Sequence, residues 1–158
     1  MIFLTVGTQL PFDRLVRAVD DWAGRVGRTD IVAQTGPAQY SPRHLQHRPF
    51  ITPTEFSSYA ADAELIVSHA GMGTILSALG RGKPILVMPR LAAFGEHRND
   101  HQLATARRLR DLGRIQVAMD ETELAALLER AGSLRATERI GPYASDQLLA
   151  RVGKFIEG

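Results

Sequence analysis

Three short segments carry side chains and spacings suited to chemistry. The first is Ser68-His69-Ala70-Gly71-Met72-Gly73-Thr74, which joins the apolar run Leu65-Ile66-Val67 to a stretch of helical periodicity through two glycines and no bulky side chain. Glycines let a main chain approach a ligand closely, and the free N–H groups and positive dipole end of a following helix suit a phosphate or diphosphate. The same pattern also fits a short turn that uses glycine only for tightness. The second segment is Gly7-Thr8-Gln9, directly after an apolar start. The third is Gly95-Glu96-His97-Arg98-Asn99-Asp100-His101-Gln102. Its acids, amides and imidazoles can pair with sugar hydroxyls as donors and as acceptors. Ordinary helix capping needs one or two polar residues, and this run has seven.

The elements that position these segments alternate. Ile2 to Val6 reads as a short strand ending at Gly7. Pro11 suits a first helical position, and Phe12, Leu15, Val16, Val19, Trp22 and Val26 fall on one helical face. Asp30 to Thr35 reads as a second strand and Arg48 to Ile51 as a short third. Thr52-Pro53-Thr54-Glu55 is a capping box with proline just inside it, opening a helix through Tyr59. Leu65 to Ser68 and Pro84 to Met88 are continuous apolar runs, the mark of strands covered on both faces. A helix over Gly73 to Arg81 lies between them. Leu103, Ala106 and Leu109 mark another helix, stopped near Leu112 by Gly113. Ile115 to Ala118 reads as a last strand, and Asp120 with Glu123 caps a helix carrying Leu124, Leu127 and Leu128. Gly132 to Gly141 is a linker candidate, and an amphipathic terminal helix is expected over residues 142–157. The expected fold is α/β, a Rossmann-like open parallel sheet with helices on both faces, formed by residues 1–158 as a single domain. Ligands of such sheets bind beyond the carboxyl ends of the strands, where all three polar segments fall.

Composition narrows the function. The chain has 158 residues, 44% hydrophobic and 23% charged, which are the proportions of a globular protein with a real core. No run of about 18 apolar residues is present, and Met1-Ile2-Phe3-Leu4 leads into a strand without a basic leader, so the expected address is the cytoplasm. Without cysteine there is no disulfide, thiolate catalysis or Cys-ligated zinc. A net charge of +2 is too weak to argue for nucleic acid. A dinucleotide site would need Gly-x-Gly-x-x-Gly after the first strand, and Gly71-x-Gly73 has no third glycine at the required spacing. His97 and His101 sit at i, i+4, but a metal site needs at least a third ligand, so no metal and no cofactor are expected. Arg107, Arg108 and Arg110 read as a solvated helical face.

Gly7-Thr8-Gln9, Phe50-Ile51, Ser68 to Thr74 and the closing His101-Gln102 together resemble the nucleotide-sugar half of family 28 glycosyltransferases of the GT-B type, the MurG-like group. The resemblance covers about residues 1 to 130. It is strongest to the short, free-standing donor subunits of bacterial exopolysaccharide transferases and to the donor subunit of the eukaryotic dolichol pathway. It implies that Gly7, Thr8, Gln9 and the turn His69, Ala70, Gly71, Met72, Gly73, Thr74 hold the diphosphate of a UDP-sugar. Main-chain groups at Ile51 would pass the uracil, and Asp100, His101 and Gln102 would face the donor sugar; the density of donors and acceptors in the same run adds Glu96 and Asn99 to the expected sugar contacts. Any general base on this chain would come from Glu96 or His97.

Two departures qualify what is inherited. Many relatives place a Glu on the helix after the glycine turn to grip the ribose, and the matching residue here is Ser77. A complete GT-B enzyme also has an acceptor-binding domain, and this chain has room for one domain only. The resemblance therefore implies a donor-binding subunit that works with a membrane-associated partner presenting a lipid-linked saccharide, at the inner face of the membrane. Glucuronate is the favoured sugar. The competing expectation is a non-catalytic partner that stabilises or activates another glycosyltransferase.

Overall fold

The computed structural model describes residues 1–112 and 115–130. Among these, the strands are β1 (Ile2–Thr5), β2 (Ile31–Gln34), β3 (Gln46–Arg48), β4 (Leu65–His69), β5 (Ile85–Met88) and β6 (Gln116–Val117). All pair in parallel, in the spatial order β3-β2-β1-β4-β5-β6. The helices are α1 (Asp13–Val26), α2 (Pro53–Asp62), α3 (Met72–Gly80), α4 (His101–Leu112) and α5 (Glu121–Glu129). Chain order reverses between β1 and β4, so the loops that leave these two strands diverge and open a crevice at their carboxyl ends. The expected Rossmann-like sheet is present. The linker and the helix expected over 142–157 lie outside the described residues.

Side chains alternate across the sheet into two cores. Ile2, Leu4, Leu65, Val67, Leu86 and Met88 pack with Leu15, Val16 and Val19 of α1 and Leu124 and Leu128 of α5. Phe3, Ile66, Ile85 and Val87 face the other way, onto Ala60 of α2, Ile75 and Leu79 of α3, and Ala106 and Leu109 of α4. Double coverage explains why β1, β4 and β5 are continuously apolar. No described helix is long and apolar enough to cross a membrane.

Several boundaries differ from expectation. The third strand starts two residues earlier than its apolar signal, because Gln46, His47 and Arg48 form an exposed edge and Pro49 has no N–H with which to extend the ladder. Pro11 is not a first helical position: Phe12 sits outside the helix at φ −136° and ψ 59°, buried beneath the start of α1. Val26, expected on the apolar face, is 44% exposed at the end of that helix. Helix α3 begins one residue early, at Met72, with Gly71 as its cap. The capping box forms as read, Thr52 accepting from the Glu55 N–H and Glu55 from the Thr52 N–H.

Candidate functional site

Two of the expected loops meet at the switch point, and the residue between them is His69, the last of β4. After β1 the chain turns through Gly7 at φ +79°. That turn is held from below by Gln34, whose amide N–H groups go to the Gly7 carbonyl at 2.9 Å and the Pro49 carbonyl at 2.8 Å, while its oxygen accepts from the Thr5 hydroxyl at 2.7 Å. The His69 ring fills the space that side chains at Gly7 and Gly71 would occupy. A Cβ on Gly7 would lie 3.0 Å from Nε2, and one on Gly71 only 2.2 Å from Cε1. Glycine is therefore required here by a packed imidazole, and at Gly7 by backbone sign as well. Gly71 caps α3 without any side-chain bond, so the first N–H groups of that helix stay open beside the ring. A Cβ on Gly73 would meet nothing within 4 Å among the described residues.

Beneath the ring lies Arg90, 3% exposed. Its Nη1 donates to the carbonyls of Pro11 at 2.9 Å and Glu96 at 3.1 Å, its Nη2 to the Val6 carbonyl, and its Nε to His69 Nδ1 at 3.4 Å. The side chain thus ties together three strands of main chain that border the crevice, and it stacks over the Phe12 ring at 5.1 Å. Among the described residues it forms no ion pair with a carboxylate. Burial pulls its pKa down to about 10, partly opposed by the more distant Glu96 charge, so it is cationic at neutral pH. His69 is pushed down to about 3 by burial first, then by the charges of Arg90 and His97, so its ring is neutral.

These groups surround an open cavity of about 240 Å³ lined by Val6, Gly7, Thr8, Gln9, Leu10, His69, Arg90, His97 and Gln102. The loop after β1, His69, His97 and Gln102 are brought together as the sequence suggested, next to Gly71, Met72, Gly73 and Thr74 at the start of α3. Ala70 is buried between. His97 has a buried Nδ1 with no partner among the described residues. Gln102 is largely buried and its amide is engaged at both ends: the oxygen accepts from the Arg90 main-chain N–H at 3.1 Å, and the nitrogen lies 3.1 Å from His69 Nδ1.

The remaining expected residues lie elsewhere. Glu96, expected as base or sugar contact, is 7% exposed and holds a two-pronged ion pair with Arg14, both distances 2.9 Å, while accepting from the Leu91 N–H at 3.0 Å. A carboxylate so occupied is part of the scaffold, which corrects that expectation. Asn99 accepts from the His101 N–H at 2.9 Å and Asp100 from the Ala92 N–H at 3.0 Å, so both shape the loop, and neither lines the cavity. His101 is exposed at the start of α4. Ile51 borders a separate groove of about 190 Å³ with Phe3, Gln34, His47 and Tyr59. The Ser77 hydroxyl accepts from Arg81, which caps the end of the same helix, at 3.4 Å. A larger hollow of about 690 Å³ lies between α1 and the loop after β5, but Arg14, which lines it, is already paired with Glu96 and Glu121.

Sequence reading missed Arg90, Gln34 and Thr5. The one available signal for Arg90 was a charge placed immediately after a fully apolar strand and a proline.

The family model described as the glycosyltransferase family 28 C-terminal domain matches residues 1–138. A curated relative, "UDP-N-acetylglucosamine transferase subunit ALG13" of Eremothecium gossypii, is 40% identical over 76 residues, which is 48% of this chain and 36% of that protein. The chain thus spans about a third of that relative's length. The NMR solution structure of ALG13 superposes with a TM-score of 0.67 at 18% identity, covering 99% of this chain and 96% of that one. MurG of Acinetobacter baumannii gives 0.59 at 22% identity, covering 96% of this chain and 49% of that one. At these identities the two structures speak for the fold.

Proposed function

The chain belongs to the glycosyltransferase family 28 C-terminal domain family, and on that premise we propose that it binds the donor of a UDP-sugar-dependent glycosyltransferase, with the diphosphate in the crevice between β1 and β4. The observation that carries this reading is Arg90. Among the described residues this cation, 3% exposed, is bonded only to carbonyls and a neutral imidazole and has no carboxylate in contact, and burial without a paired charge is costly. A diphosphate beside it supplies that charge. Of the five guanidinium N–H donors, one on Nη2 is left for a ligand once those to Val6, Pro11, Glu96 and His69 are made. The open amides at the start of α3 and the Gly7-Thr8-Gln9 turn complete the anion site. Uracil would lie toward Ile51, and no metal is needed where amides and a helix dipole take the charge.

The chemistry that fits is direct, inverting displacement at the anomeric carbon. Negative charge gathers on the departing diphosphate, and donors already aimed at it stabilise the transition state without reorganising. The base that takes the acceptor proton is supplied by the facing domain, since Glu96 is held by Arg14. That domain belongs to a membrane-associated partner that brings a lipid-linked saccharide to the cytoplasmic face, because acceptor alignment and exclusion of water need a second wall. An exopolysaccharide pathway and a glucuronosyl donor follow from the resemblance of the chain to short bacterial donor subunits.

Calorimetric titration with UDP and a panel of UDP-sugars in the presence of EDTA tests the reading. Binding to the lone chain is expected, with transfer to a lipid-linked acceptor only when membranes containing the partner are added. Absence of UDP binding would leave the non-catalytic partner role. Robust turnover by the lone chain would remove the need for a partner.

A further inference from the structure

Gln102 stands where the resemblance puts a sugar contact, yet its bonds point inward. The Arg90 main-chain N–H can only donate, so the Gln102 atom facing it at 3.1 Å is the oxygen, and this fixes which way the carboxamide is turned. Its nitrogen then faces His69 Nδ1 at 3.1 Å. A carboxamide nitrogen also only donates, and so does the Arg90 Nε on the same ring atom at 3.4 Å. Two donors converge on Nδ1, which must therefore accept and carry no proton. The proton sits on Nε2. That atom lies where Cβ atoms of Gly7 and Gly71 would be, 3.0 Å and 2.6 Å away, and it has no protein partner among the described residues.

We propose that Gln102 is a positioning residue: held by Arg90, it locks His69 as a neutral Nε2–H donor aimed at the ligand's diphosphate, and does not itself touch the sugar. The ligand half of this proposal rests on the donor-binding reading above. The logic is that of a relay. A histidine free to exchange tautomers presents a lone pair to the anion part of the time, and a protonated one makes binding depend on pH. Locking Nδ1 as an acceptor removes the first fault. Arg90 from the exit of β5 and His97 from the following loop, the titratable groups beside the ring among the described residues, both oppose its protonation, and no carboxylate of the described residues is among its partners. The result is a donor of constant strength.

The ligand-free chain gives the first test. Two-bond proton–nitrogen correlation spectra of the imidazoles should show His69 as a single Nε2–H tautomer that does not titrate between pH 8 and 5. A protonated Nδ1, or titration near the ordinary histidine value, would overturn the proposal whether or not UDP binds. Added UDP should then shift Nε2 and leave Nδ1 nearly still. If the tautomer is locked and calorimetry shows UDP bound but no His69 signal responds, the aim of Nε2 at the diphosphate is overturned; if calorimetry shows no UDP binding, the donor-binding reading fails and the lock stands.

Variants separate positioning from contact. Gln102→Ala should lower affinity for UDP and for its sugar conjugate by the same factor, about tenfold, the scale of one hydrogen bond to a charged group. A loss confined to the sugar conjugate would make Gln102 a sugar contact after all. Gln102→Glu puts an acceptor opposite Nδ1, so His69 should take a proton there, and UDP affinity should become pH-dependent in the range where it was flat. An unchanged spectrum and pH profile in Gln102→Glu would overturn the relay, and they report on correctly folded protein only.

Discussion

Asp20 and Arg90 are both charged, 1% and 3% exposed, and bonded chiefly to main-chain groups, but their surroundings are completed in different ways. Asp20, on α1, accepts from the Tyr40 hydroxyl at 2.5 Å, from the Arg43 N–H at 3.1 and 3.0 Å, and from the His44 N–H at 2.8 Å. Every donor there comes from the loop between β2 and β3, which this carboxylate fastens to the helix. Burial pushes Asp20 upward, but these bonds outweigh it and hold the carboxyl below its ordinary range, while the same contact pushes Tyr40 up to about 12. The Arg90 cluster ends instead in open polar groups: the His69 Nε2–H, the buried His97 Nδ1, without a partner among the described residues, and the capless start of α3. A buried polar group is costly unless satisfied. A closed cluster therefore reads as scaffold, and an open one at a switch point as a place where a ligand supplies what is missing.

Acid should distinguish the two most strongly. His69 has a folded-state value near 3 against an ordinary 6.5, so between these values the unfolded chain binds the proton and the folded chain does not. That contribution to stability is complete above pH 6.5 and is lost as pH falls, at up to about 1.4 kcal/mol per unit. Asp20 keeps its contribution until pH falls through the ordinary carboxylate value of 3.8. Urea unfolding followed from pH 7 to 4 should show a steady decline, and His69→Gln should flatten it. A decline that begins only near pH 4 would mean that His69 is not held neutral.

Removing the scaffold charge comes next in size. Asp20→Ala leaves two main-chain N–H groups and a hydroxyl without their acceptor, a loss of about 3 kcal/mol in denaturation. UDP affinity of the folded protein should stay within about twofold, because nothing in this cluster lines the crevice. Loss of affinity in step with stability would show that the two clusters are coupled. Gly71→Ala should do the reverse. Its methyl group drives the His69 ring from its place at a stability cost of about 1–2 kcal/mol, and UDP binding should fall at least about tenfold. Unchanged binding in calorimetry would separate the ring from the anion site.

The contrast also explains what could be read without coordinates. Strands β1, β4 and β5 were legible because burial on both faces makes them continuously apolar, and the capping box at Thr52 to Glu55 because its residues are neighbours in sequence. Edge strand β3 carries no such mark, so its signal slipped toward Phe50-Ile51. The glycine turns were legible as turns, but the reason for Gly7 and Gly71 was not, since the His69 ring reaches one of them across the gap between two strands. Arg90, Gln34 and Thr5 escaped for the same reason. Their partners lie between 6 and 84 residues away, and no local spacing records a bond of that kind. The polar run from Glu96 to Gln102 was seen as one patch. The fold divides it among an ion pair, two loop caps, an exposed helix start and the crevice.

Glu96 gives the smallest expected effect and the sharpest separation of scaffold from site. As a general base it would be indispensable, and Glu96→Gln would cost turnover a factor of 10²–10⁴ in the assay with partner membranes. As the observed partner of Arg14 it is replaceable. A glutamine oxygen can still accept from the Leu91 N–H or from one Arg14 donor, and Arg14 retains Glu121 at 2.5 Å as a charged partner. The pair joins α1 to the loop after β5, so its weakening should appear as about 1 kcal/mol in denaturation and as less than about a twofold change in UDP affinity. A collapse of turnover with stability and UDP affinity intact would return Glu96 to the chemistry and place part of the open region inside what now reads as scaffold.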